Sequence, residues 1–89
     1  MYQEKWVESI DDLPEQIREK VEMDRKYFKL VSCKISTYKT SENETQRCYC
    51  IILEDEAFYK AHSIYTDEND GDICATHCQF PKDMISKAA

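Results

Sequence analysis

The stretch Tyr27-Phe28-Lys29-Leu30-Val31-Ser32-Cys33-Lys34-Ile35-Ser36-Thr37-Tyr38 decides the fold, because its side chains alternate. Val31, Cys33, Ile35 and Thr37 share one parity, with Lys29 near the entrance, while Ser32, Lys34 and Ser36 take the other. A period of two with one apolar side is the signature of a half-buried strand. After a polar, turn-like segment from Thr40 to Gln46, Arg47 to Leu53 repeats the pattern, setting Tyr49, Ile51 and Leu53 against Cys48, Cys50 and Ile52. The two strands read as an antiparallel hairpin with a long acidic tip.

Glu56 to Tyr65 fits two templates: a helical stripe of Ala57, Phe58, Ala61, Ile64 and Tyr65, or an alternating strand. Its Tyr and Phe content favours the strand, and Asn69-Asp70-Gly71 supplies a turn into a further strand over residues 73–80. Pro81 then ends the last strand. Toward the N-terminus, Asp12-Leu13-Pro14-Glu15 reads as a helix start, with Asp12 as cap, Pro14 in the first turn and Glu15 closing a capping box. Leu13, Ile17, Val21 and Phe28 follow at roughly helical spacing, which predicts a helix over 13–26. Trp6, Val7 and Ile10 precede it as a staple or short first element. The expected architecture is α+β, one N-terminal helix packed on a three- or four-stranded antiparallel sheet. It forms a single domain over residues 1–81, with a C-terminal tail over 82–89.

Bulk composition agrees with one small globular domain: 89 residues, 42% hydrophobic and 34% charged, far from a disordered composition. A single glycine and two prolines leave little turn chemistry for a many-stranded barrel. No basic-then-apolar leader and no long apolar run is visible, so the reading is a cytoplasmic protein with no membrane partner. The five cysteines, an odd number, are then expected to be reduced thiols.

Four constellations could carry chemistry. Cys48, Cys50, Cys74 and Cys78, with His77, have the residue types of a zinc site, but Cys48 and Cys50 are only two apart, unlike the knuckles of structural zinc sites. A small zinc-stabilised interaction module using these four cysteines is the alternative reading; the main one has no metal and no cofactor. His62 or His77 with a thiol lacks any accompanying nucleophile elbow or oxyanion loop, and acidic surroundings would raise a thiol's pKa, so no enzyme is expected. Asp67-Glu68-Asn69-Asp70-Gly71-Asp72 is oxygen-rich, yet no register matches a calcium loop.

The fourth is the charge itself. Residues 1–40 hold eight acidic and eight basic side chains, whereas 41–72 hold nine acidic and two basic, so the middle third supplies the whole net charge of −6. In an antiparallel meander the 40–46 and 66–72 loops share one end of the sheet. Glu42, Glu44, Asp67, Glu68, Asp70 and Asp72 would merge there into a patch, flanked by Tyr49 and Tyr65 as interface aromatics. Such a patch repels nucleic acid and attracts a basic protein surface. The expected function is therefore a non-enzymatic acidic protein that binds a basic partner, a nucleic-acid-binding protein being one of that kind. In general composition the chain is similar to the small inhibitors encoded by phages and mobile elements. That similarity implies inhibition by carboxylates set where a partner expects phosphates.

Overall fold

The structure, a computed structural model, describes residues 2–83. Five antiparallel strands form one sheet in chain order: β1 (Tyr2–Trp6), β2 (Lys29–Lys39), β3 (Thr45–Glu54), β4 (Phe58–Asp67) and β5 (Cys74–Pro81). One short helix, α1 (Glu15–Val21), lies between β1 and β2, flanked by 3-10 turns at Ile10–Asp12 and Asp24–Lys26.

Two expectations are thereby corrected: the sheet has five strands rather than three or four, and the chain starts with a strand, not a helix. β1 runs antiparallel to β2, from Tyr2 opposite Tyr38 to Trp6 opposite Lys34. All five of its residues are exposed. Its backbone pairing, not burial of an apolar face, makes it a strand, so no alternating signal marks it in the sequence.

The helix is also shorter than 13–26. Pro14, not Asp12, occupies its N-cap, and no side chain caps it. Asp12 belongs instead to the preceding 3-10 turn, whose cap is Ser9, with Oγ accepting from the Asp11 N–H. Beyond Val21 the chain tightens into the second 3-10 turn, where Tyr27 and Phe28 N–H groups both donate to the Asp24 carbonyl.

This helical segment covers one face of the sheet. Ile10, Leu13, Ile17 and Val21 meet Cys33, Tyr49, Ile51, Leu53 and Ile64, with Val7, Phe28, Leu30, Ile35 and Ile73 around them. In β2 the register shifts between Leu30 and Ser32. The extra residue, Val31, is thrown outward to 48% exposure, although strict alternation assigned it to the core. Asp24 ties the cover down: Lys60 Nζ donates to Oδ1 and His62 Nε2 pairs with Oδ2, each at 2.7 Å. The opposite face of the sheet carries Trp6, Tyr2, Lys34, Tyr38, Cys48, Cys50, Ile52 and Tyr65 with no second layer over it among the described residues. Of the expected tail, residues 84–89 lie outside the described residues.

Candidate functional site

Two hairpin tips meet at one end of the sheet. The first, between β2 and β3, is fixed by its own backbone: Thr40 N–H donates to the Glu44 carbonyl and Asn43 N–H to the Thr40 carbonyl, each at 2.9 Å. Thr40 Oγ1 accepts from the Glu42 and Glu44 N–H groups, and Asn43 takes a left-handed φ of 63°. Glu42 and Glu44 thus project into solvent from a shaped turn.

The second tip joins β4 to β5. Asp67 Oδ1 accepts from the N–H groups of Asn69 and Gly71 at 2.9 Å, an Asx-type closure that holds the turn. Gly71 has no positive φ; a Cβ there would stand 3.3 Å from the Asp67 carboxylate, close enough that the carboxylate would have to shift. Asp70 and Asp72 are the residues that adopt positive φ, at 60° and 49°. Between the two tips runs a shallow groove lined by Thr40, Glu44, Thr45, Gln46, Thr66, Asp67 and Asp72.

The structure therefore brings Glu44, Asp67 and Asp72 together, with Glu42 and Glu68 exposed on the tips themselves. It removes three of the residues that sequence assigned to this surface. Tyr49 is 1% exposed and belongs to the core. Its parity points it under the helical cover, and its hydroxyl donates to Asp70 Oδ1. Asp70 in turn takes Arg47 Nη1 on both carboxylate oxygens, at 3.1 and 3.2 Å, so its charge is neutralised from within. Burial, then the adjacent Asp70 carboxylate, push the Tyr49 phenol up to about 12 against the opposing pull of Arg47. The Tyr49–Asp70–Arg47 cluster is a clasp that fastens the tip to the sheet. Arg47, which sequence reading placed at the start of a strand and counted among two bases of the middle third, is its essential partner. Tyr65 lies on the uncovered face opposite Cys48, outside the groove lining.

A further acidic run, Glu54-Asp55-Glu56, lies at the other end of the sheet, between β3 and β4. Asp55 Oδ1 accepts from the Ala57 and Phe58 N–H groups there, and Glu54 pairs with Lys82 at 3.5 Å.

No family model, curated protein or solved structure matches this chain. The geometry stands alone. Cys48, Cys50, Cys74 and Cys78 share the uncovered face but are not gathered: the Cys48 and Cys50 sulfurs touch at 3.5 Å, while Tyr65 separates Cys48 from Cys74 across the ladder. Among the described residues no group of three or more His, Cys, Asp or Glu side chains is placed to hold a metal ion. His62 is engaged by Asp24 rather than by a thiol. Burial raises the thiol pKa values of Cys33 and Cys48 to about 11, away from nucleophilic use. Among the described residues no helix is long and apolar enough to cross a membrane.

Proposed function

We propose that this chain is a non-enzymatic binding protein whose acidic hairpin end engages a basic surface on a protein partner. One observation carries the reading: the groove between the two tips is lined by Glu44, Asp67 and Asp72, and its neighbours Glu42 and Glu68 are free of ion pairs with any described base. Of the two bases at this end, Arg47 is consumed by Asp70, which leaves Lys39 against five carboxylates. A field of one sign at the tip of a molecule steers an oppositely charged partner and discriminates against nucleic acid. A partner that ordinarily binds phosphates offers the matching surface, and occupation of that surface would inhibit it.

The clasp and the Asx closure dictate how to test this. Reversing Asp67 or Asp70 would dismantle the turn, so the informative variant is Glu42→Lys, Glu44→Lys, Glu68→Lys, which changes only exposed side chains. Proteins captured by the parent from a lysate at low salt are identified, and their association is timed on a sensor surface. The tip variant should associate about tenfold or more slowly, with the dissociation rate little changed, and rising salt should slow the parent likewise. Glu15→Lys, Glu19→Lys, Glu22→Lys on the helical segment is the control. Parent-like association of the tip variant, with loss in the helix variant, would move the interface to the helical cover.

A further inference from the structure

We infer that β5 pairs with β5 of a second copy of this chain, across a two-fold axis centred on Thr76, to extend the sheet. Exposed strand edges are templates for other strands, and soluble proteins blunt them with charge, brevity or a covering segment. β1, the other edge, is blunted: it has five residues and carries Glu4 and Lys5. β5 is eight residues long, reads Cys74-Ala75-Thr76-His77-Cys78-Gln79-Phe80-Pro81 and contains no Asp, Glu, Lys or Arg. Residues 74–79 are exposed on both faces, because the helical cover stops at β4.

The backbone fixes which groups are offered. Lys82 N–H donates to the Ala57 carbonyl, and Pro81, opposite Phe58, has no N–H to give. Alternation along an antiparallel ladder then turns Phe80, Cys78, Thr76 and Cys74 toward β4, and leaves the N–H and C=O groups of Ala75, His77 and Gln79 pointing out of the sheet. With Thr76 facing the partner's Thr76, Ala75 exchanges both bonds with the partner's His77. Cys74 falls opposite the partner's Cys78 as a close, non-hydrogen-bonded pair.

Charge is compatible with a second copy in this register. The antiparallel arrangement carries the acidic tip of each copy away from the other's tip. Asp72 comes to lie across from the partner's Phe80, beside the partner's Pro81–Lys82 end. A chain with a net charge of −6 would otherwise resist self-association.

The two-fold register makes a specific test. Thr76→Lys places two ammonium groups directly opposite each other, and Thr76→Glu two carboxylates; like charges so placed are destabilising. Under reducing conditions, sedimentation equilibrium of the parent should show a reversible rise toward twice the monomer mass with concentration. Each single variant should weaken dimerisation about fivefold or more, and an equimolar mixture of the two should recover it as a heterodimer. Cys74 and Cys78 of one chain are four residues apart on a strand, about 13 Å at ~3.3 Å per residue, too far for a disulfide. Mild oxidation with oxidised glutathione should therefore join Cys74 of one copy to Cys78 of the other, two thiols losing two electrons and two protons as the glutathione disulfide is reduced. Peptide mapping should show that mixed linkage. A parent that stays monomeric at every concentration, a mixture that fails to recover, or a dominant Cys78–Cys78 linkage would each overturn this pairing.

Discussion

Asp24 shows how one residue couples the helical cover to the sheet. Burial works to raise its pKa, but hydrogen bonds from Lys60 and His62 outweigh that and hold the carboxyl below its ordinary value of 3.8. His62, 6% exposed, has its pKa lowered from 6.5 chiefly by burial, which prevails over the favourable Asp24 carboxylate. Its neutral ring must therefore carry the proton on Nε2, since a carboxylate can only accept. The sign follows by linkage. Both pKa values are depressed on folding, so the unfolded chain takes up protons that the folded chain refuses, and stability falls with pH. The His62 contribution is lost as pH drops below about 6.5, and the Asp24 contribution only below about 3.8. Melting temperature should fall from about pH 7 to about pH 5, and His62→Gln should flatten that fall. An unchanged slope in His62→Gln, or a parent more stable at the lower pH, would refute the assignment. Asp24→Asn, which keeps the shape but weakens two charged hydrogen bonds, should cost about 2 kcal/mol in denaturant unfolding.

Among the elements, α1 is too short to persist by itself; its seven residues are held by Ile17 and Val21, both fully buried against the sheet. Ile17→Ala should cost about 3 kcal/mol, while Glu19→Ala on the exposed side should change stability by less than about 0.5 kcal/mol, as chemical denaturation can read. Where elements bury an alternating or helical face, sequence was enough to find them. β2 and β3 followed from parity, the strand reading of 56–65 followed from its Tyr and Phe content against a competing helical stripe, and the turn at 69–71 set β5 after β4. β1 was invisible because both its faces meet water and its existence depends on the long free edge of β2. Val31 was misplaced because a bulge leaves no mark in an alternating string. At the acidic end, the shared position of the two tips was legible from meander topology. The clasp was not, since nothing local says that Asp70 folds back onto Arg47 and the Tyr49 hydroxyl.

At the scale of the whole molecule, a single helical layer on a five-stranded sheet leaves the cysteines in graded surroundings, and thiol chemistry reads that gradient. Cys33 lies beneath the cover with no exposure, its pKa raised to about 11 by burial and, secondarily, by Cys50. Cys48 is on the uncovered face yet 8% exposed, sheltered by its neighbours, and burial followed by contact with Cys50 raises it to about 11 as well. Cys74 and Cys78 stand exposed on the edge strand, beyond the reach of the cover. Only the thiolate attacks a disulfide reagent, so burial and a raised pKa slow reaction together. In dilute, reduced, native protein at mildly alkaline pH, an aromatic disulfide reagent should modify Cys74 and Cys78 in a fast phase. Cys50 should follow more slowly, and Cys33 and Cys48 should wait for unfolding. Mass mapping of the fast phase assigns the residues, and denaturant should release all five thiols at one rate. Raising the protein concentration should slow the fast phase alone, since edge pairing covers Cys74 and Cys78 and leaves the others as they were. Rapid labelling of Cys33 in the native protein would mean that the helical cover opens readily. The sheet's core face would then be a surface in exchange with water rather than the interior on which the fold depends.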